Sequence, residues 1–163
     1  KLYDHFVTPI YKYIYFRVSS NEAEDLTELI FLKVWENIKS YRAHLGTFSS
    51  WIFRVAHNVV VDYYRAHKAE DELSENIEDT RREADTTNRI HGRLTKEILY
   101  SALQGLKEQH RQVLILKFIN DLSNEEIASI TGKSEASLRI IQFRALKKLK
   151  SLLLNRGVSA EDL

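Results

Sequence analysis

The run Ser123-Asn124-Glu125-Glu126-Ile127-Ala128-Ser129-Ile130-Thr131-Gly132-Lys133-Ser134-Glu135-Ala136-Ser137-Leu138-Arg139-Ile140-Ile141 decides the fold of this chain. Ser123 and Glu126 stand at capping-box spacing: the hydroxyl accepts from the third amide of a helix, and the carboxylate reaches back to the cap. A short helix is predicted from Asn124 to Ile130, with Ile127 and Ile130 inward and Ala128 small. Thr131-Gly132-Lys133 reads as a turn, and Ser134 as the cap of a second helix. That helix carries Leu138, Ile141, Ala145, Leu149 and Leu152 along one side. Counted from Ala128, Gly132 lies four residues on, Leu138 ten and Ile141 thirteen. A helix-turn-helix needs a small residue at the crossing, Gly for a left-handed turn, and apolar anchors one turn apart. The sequence meets each requirement.

Outward from the second helix point Glu135, Arg139, Gln142, Phe143, Arg144, Lys147 and Lys148. Between Lys133 and Arg156 there are seven basic side chains against the single acid Glu135, a local charge of +6. Such a face is an electrostatic footprint for nucleic acid. Arg139, near the helix start, is placed to reach guanine in the major groove, while Lys147, Lys148 and Lys150 suit phosphates. The alternative is a solvated basic face on an ordinary helical hairpin. Two preceding helices, about 96–106 and 109–119, are expected to supply core through Ile98, Leu99, Leu103, Val113, Leu114, Leu116 and Phe118.

The whole chain hides that charge. Its 163 residues carry 24 Lys and Arg against 23 Asp and Glu, a net +1. Divided, residues 1–68 hold 9 basic and 7 acidic side chains, 69–95 hold 4 and 8, and 96–163 hold 11 and 8. Two mildly basic blocks therefore flank an acidic segment whose low hydrophobicity reads as a flexible, solvated linker. The expected architecture is all-α: two small helical domains, 1–68 and 96–156, joined by linker 69–95 and followed by tail 157–163. One Pro and five Gly are too few for a many-stranded fold. The sequence contains no apolar run long enough for a membrane span and no Cys for a disulfide or thiolate site, which fits a reducing cytoplasm. No secretory signal opens it, and the lack of any Met suggests residues before Lys1.

The first block is crowded with aromatics, 14 of the 17 in the chain. A helix over 1–18 is read from Leu2, Phe6, Ile10, Tyr13, Ile14 and Val18, with Pro9 expected to kink it or delay its start. After Ser19-Ser20-Asn21 a second helix carries Leu26, Leu29, Ile30, Val34 and Ile38, with Phe31 and Trp35 widening the stripe. Gly46 marks a turn, and a third helix is expected over 49–64 with a basic end at Arg65, His67 and Lys68. Aromatics interleaved with Arg54, His57, Asn58 and Arg65 could stack unpaired bases while the cations hold the backbone. They could equally be core. Fourteen rings nevertheless exceed what packing a block of this size is expected to require.

Taken together, the blocks resemble the extracytoplasmic-function, or group IV, sigma factors of the sigma-70 family. Ala23-Glu24-Asp25-Leu26-Thr27-Glu28-Leu29-Ile30-Phe31-Leu32-Lys33-Val34-Trp35 resembles their core-polymerase-binding segment. Phe48 to Asn58 resembles the helix that melts and reads the −10 element. The stretches Ala102–Leu106, Arg111–Leu114 and Leu122–Ala128 resemble the −35-binding domain. The resemblance implies that Asp25, Leu26, Glu28, Phe31 and Trp35 meet the β′ clamp helices of bacterial RNA polymerase core, although Phe31 and Trp35 could instead be core. It implies that Trp51, Arg54, Asn58, Asp62, Tyr63 and Arg65 line or support the −10 surface, Asn58 holding a flipped base; Trp51 could also be a core anchor. Ser137, Arg139, Phe143, Arg144, Lys147 and Lys148 are the implied −35 contacts. Further implied partners are promoter DNA, the polymerase β flap and an anti-sigma factor. The protein would be cytoplasmic, nucleoid-associated when bound to polymerase, without membrane insertion or a small-molecule substrate.

Two departures from the family pattern stand out. Ile140 and Ile141 replace a common polar–Arg pair, and Gln142 fills a place that is commonly apolar, a pattern expected to rotate the recognition helix slightly. Thr27-Glu28-Leu29 lacks the usual Gln-Glu pair. A plain DNA-binding regulator, with residues 1–68 as a sensor or dimerisation unit, is the competing reading. An enzyme is disfavoured: the six His lack metal spacing, and no phosphate-cradling Gly loop or nucleophile motif is present. No catalytic residue, metal or cofactor is expected.

Overall fold

A computed structural model describes residues 1–18, 20–71 and 90–159, leaving aside the side chains of Ser20, 68–71 and 90–95. Every regular element among these is helical: α1 (Leu2–Tyr15), α2 (Ser20–Asn37), α3 (Phe48–Asp71), α4 (Ile90–Gln104), α5 (Glu108–Leu114), α6 (Asn124–Thr131) and α7 (Glu135–Leu154). Short 3-10 turns, Ile38–Ser40 and Ala43–Leu45, join α2 to α3, and a π-helical turn over Ile115–Ile119 extends α5. No described helix is long and apolar enough to cross a membrane.

Helices α1, α2 and α3 form the N-terminal bundle around Ile10, Tyr13, Ile14, Ile30, Ile52, Phe53, Ala56 and Val60, all fully buried or nearly so. Each large apolar side chain withdrawn from water in this way contributes about 1.5–3 kcal/mol. Pro9 neither delays nor interrupts α1; it lies within the helix, which begins at Leu2 and ends three residues earlier than the apolar pattern suggested. Helix α3 is longer than expected, reaching Asp71. Past Tyr64 its residues include Ala66, Lys68, Ala69 and Glu70, good helix formers that sustain a helix without an apolar stripe. Helix α4 likewise starts at Ile90. The expected acidic linker therefore gives way to helix at both ends, and residues 72–89 between them lie outside the described residues.

The aromatic excess turns out to be structural in large part. Tyr41, Phe48 and Trp51 pack mutually with centroids 5.2–5.8 Å apart, and Phe6 joins Phe48 at 5.4 Å. Tyr13 meets Phe53 edge-on at 5.6 Å, and Tyr3 covers Phe31 at 4.7 Å. Such geometries add to the area that rings bury, so rings carry the packing of a small bundle. The surplus assigned to base stacking is thus mostly spent inside.

In the C-terminal half, α6 and α7 form the helix-turn-helix. Both halves of the capping box are present: Glu126 N donates to Ser123 Oγ at 3.1 Å, and Ser123 N donates to Glu126 Oε2 at 3.0 Å. Gly132 closes α6 at φ 69°, a left-handed conformation that costs most side chains energy, and Ser134 caps α7 by accepting from Ser137 N at 3.2 Å. Leu138, Ile141 and Ala145 face inward, as expected. A second cluster, Leu103, Leu106, Leu114 and Ala145, gathers Leu99, Leu149 and Leu152 around it. Phe118, expected in the core, is 59% exposed. The π turn adds a residue to the local period and directs Phe118 outward while Ile115 and Leu116 stay buried.

Candidate nucleic-acid interface

On α3, residues 51, 54, 58, 62 and 65 recur at three or four positions and so share a stripe. Asn58, Arg54, Asp62 and Arg65 are exposed on it; Trp51 is half-buried against Tyr41 and Phe48. A groove of about 430 Å³ runs along this stripe, lined by Trp51, Arg54, Val55, Asn58 and Asp62 from α3 and by Lys33, Asn37 and Ser40 from the opposite wall. Those last three were not anticipated. Lys33 and Asn37 lie one turn apart on α2, a helix read for its apolar stripe and for its core-polymerase contacts but not for the −10 surface. With an amide, cations and an indole edge on its walls, the groove can take a planar polar group such as a base.

Tyr63 plays a different part from its neighbours. Its hydroxyl donates to Glu22 of α2, and its ring lies 4.0 Å from that of His67. Burial, then the bond to Glu22, pushes its phenol well above the usual range. Tyr63 therefore braces α3 on α2 and does not line the groove. Arg65 and Asp62 form only a loose pair at 3.7 Å.

On α2 the five candidate residues divide. Asp25 and Glu28 are exposed, and Trp35 is 78% exposed beside exposed Leu32. Leu26 instead belongs to the core, and Phe31 is half-buried under Tyr3. Only the first three of these stand ready for a partner, Trp35 foremost.

On α7 the outward face is open. Arg139 is loosely paired with Glu135 at 3.6 Å and its side chain stays 67% exposed. Phe143, Arg144, Lys147 and Lys148 are exposed, while Ser137 is half-buried and its amide is taken by the cap. Gln142 donates to Asn124 Oδ1 at 2.8 Å, pinning α7 to the start of α6. That hydrogen bond allows a polar residue at an apolar place while Ile141 holds the inward register.

Sequence comparison closes the question of family. The family description Sigma-70 region 2 matches residues 2–70, and Sigma-70, region 4 matches residues 96–149. The RNA polymerase sigma factor YlaC of Bacillus subtilis is 33% identical, over 91% of this chain and 88% of its own length. The chain belongs to the extracytoplasmic-function class of sigma-70 RNA polymerase sigma factors. The sigma factor SigM of Bacillus subtilis is 29% identical over 99% of this chain and 98% of its own. BldN of Streptomyces coelicolor is 30% identical over 94% of this chain, which spans 59% of BldN. The fold agrees with that of RpoE from Bartonella quintana, solved with the anti-sigma factor NepR (TM-score 0.80, 21% identity, 93% of this chain and 94% of that one). CnrH, solved with the cytosolic domain of CnrY, gives a TM-score of 0.70 at 23% identity, covering 93% of this chain and 84% of that one. A sigma factor of this class directs polymerase to promoters and initiates DNA-templated transcription, and α6–α7 is its DNA-binding helix-turn-helix.

Proposed function

We propose a division of labour for this sigma factor. Helix α2 docks on the β′ clamp helices of bacterial core polymerase through Asp25, Glu28 and Trp35. Helix α3 reads and holds the opened −10 element, with Asn58 in the groove and Trp51, Arg54, Asp62 and Arg65 around it. Helix α7 enters the −35 major groove with Arg139 while Phe143, Arg144, Lys147 and Lys148 flank it, and the β flap meets the same C-terminal domain. The observation that carries this reading is the pair of exposed polar faces, the Asn58 groove on α3 and the Arg139 face on α7.

Opening a duplex costs a few kcal/mol per flipped base unless the new pocket offsets it. The α3 groove supplies that offset by hydrogen bonds and stacking, without chemistry on the DNA. The chain therefore acts as a non-enzymatic specificity subunit, working in the cytoplasm and on the nucleoid with polymerase. An anti-sigma factor is the natural regulator, as the relatives solved with one suggest.

The test is run-off transcription with bacterial core polymerase on a promoter library, comparing the chain with Asn58→Ala. The variant should bind core normally and form open complexes poorly on duplex templates, with recovery on templates already mismatched at −10. Equal open-complex formation on duplex templates would remove Asn58 from the site.

A further inference from the structure

We propose that Ile140 is a specificity-determining residue of α7, which selects thymine in the −35 element by covering its C5-methyl group, a role that rests on the promoter reading above. Ile140 is one of the two isoleucines by which this chain departs from the family pattern. Its neighbour Ile141 turns inward and is buried with Leu138 and Ala145, and Gln142 is tied to Asn124 at 2.8 Å. These contacts fix the rotation of α7 about its own axis. Ile140 is thereby turned away from the core and left 53% exposed, and Phe143, one turn further on, is 70% exposed. Large apolar side chains held in water on a cationic face mark a contact surface.

The placement of the charges says what that surface meets. Ala136, Ile140, Phe143 and Lys147 follow one another at four, three and four residues and share the stripe opposite Leu138, Ile141 and Ala145. Arg139 and Arg144 lie roughly 70° to either side of that stripe, at 100° per residue. Lys150 and Lys148 continue the two flanks. The first turns of α7 therefore present an apolar ridge between two rows of cations. The single acid nearby, Glu135, sits 3.6 Å from Arg139 and leaves it exposed. A protein partner would need acids on both sides of an apolar furrow. The major groove of DNA has that form by construction, with phosphates along both walls and base edges on its floor.

On that floor only thymine offers an apolar group, its C5-methyl. Ile140 has no donor or acceptor. A guanine keto group or an adenine or cytosine amino group turned toward it loses water and gains no partner. A thymine methyl turned toward it is withdrawn from water along with the side chain. The ridge from Ala136 to Phe143 runs about 10 Å at 1.5 Å per residue, roughly three base pairs. Ile140, near its middle, meets one of them. Ala136 is small and exposed, so it lets the start of α7 approach the floor closely. Arg139 reaches inward from one flank and reads its own base by hydrogen bonds. Apolar and polar readout thus sit side by side on successive residues.

Holoenzyme assembled from bacterial core polymerase and the full chain is used to select promoters from a library randomised at −35. Thymine should be chosen at one position or two neighbouring ones. Replacing that thymine by deoxyuridine removes the methyl group alone and leaves every hydrogen-bonding group in place. Holoenzyme binding should weaken roughly fourfold at the position facing Ile140. In Ile140→Ala the thymine and deoxyuridine promoters should bind alike, while Ile140→Val should keep most of the preference. Arg139→Ala should keep all of it and lose discrimination at a different base pair. Because Ile140 is exposed, its variants should leave the thermal melt and the affinity for core unchanged. A selected −35 element without thymine, equal binding of the thymine and deoxyuridine promoters by the parent chain, or an unchanged preference in Ile140→Ala overturns the role of Ile140 while the −35 reading of α7 stands. Weakened core binding in Ile140→Ala with the thymine preference intact makes the ridge a protein contact and overturns it too. Selection that shows no preference at any −35 position takes down the reading of α7 and the role of Ile140 together.

Discussion

Arg17 Nε donates to Glu108 Oε1 at 2.8 Å across 91 residues of sequence, tying the turn after α1 to the first turn of α5. The guanidinium is almost wholly buried and also lies 4.9 Å from the Tyr13 ring, so it is held by an aromatic face and a carboxylate from different domains. Tyr64 closes the cluster by donating to Arg17 O, and burial, then Glu108, pushes its phenol up to about 12. The phenols of Tyr13 and Tyr64, both raised by burial, therefore keep their protons through physiological pH, and His57 is the neighbour whose charge can change.

Burial, followed by the positive charge of Arg17, holds His57 below its usual range, with Glu108 opposing. Its Nδ1 must stay unprotonated to accept from Gln112, and Arg65 and Lys133 line the same cleft. A depressed folded pKa means His57 contributes its full share of folded-state stability above the free value of about 6.5 and loses it as pH falls below that value. Unfolding stability should therefore fall between about pH 7.5 and 5.5, and a His57→Gln variant should flatten the change in urea melts. A steeper slope in the variant than in the parent would exclude His57 as the source.

Trp35 separates surface from core. At 78% exposure, Trp35→Ala should change unfolding stability by less than about 0.5 kcal/mol. Binding to core polymerase should weaken by about 2 kcal/mol or more, roughly thirtyfold, because an exposed Trp is the kind of residue that dominates an interface. Titration of labelled chain into core, beside a urea melt, measures both. A large loss of stability with unchanged affinity would reverse the assignment.

Arg139 and the lysines beyond it should fail differently. Arg139→Ala should cost about 1–3 kcal/mol at one −35 base pair and relax discrimination there. Lys147→Ala and Lys148→Ala should weaken holoenzyme binding on all promoters alike and lower the salt slope by about 1 each. Binding to a set of single −35 substitutions at several salt concentrations distinguishes the two patterns. A uniform loss from Arg139→Ala would make it a phosphate contact.

Gly132 tests the turn by itself. A Cβ there meets nothing within 4 Å, so only its φ of 69° matters. Gly132→Ala should destabilise the chain by about 1–2 kcal/mol through backbone strain. Denaturant midpoints check the figure, and no change at all would mean that the turn relaxes without it.

Local rules were legible where one stretch of chain contains both partners of an interaction. The capping box at Ser123 and Glu126, the left-handed Gly132 and the inward spacing of Leu138, Ile141 and Ala145 each involve residues within two turns of one another. The outward basic face of α7 followed from the same spacing. Misreadings arose where periodicity is silent. Phe118 turned outward because a π turn changes the period, and α3 outran its apolar stripe because helix propensity sustains it to Asp71.

By itself the sequence determined an all-helical chain, a helix-turn-helix and its charged face, because each is set by short-range spacing and capping. The tertiary structure alone decided which aromatics are structural, that Leu26 belongs to the core while Trp35 does not, and that Lys33 and Asn37 face Asn58 across a groove. It also decided that Arg54 is held by Ser129 and Arg17 by Glu108. Those partners lie 75 and 91 residues apart, and no local pattern specifies a pairing that only the packing of two domains brings within hydrogen-bond reach.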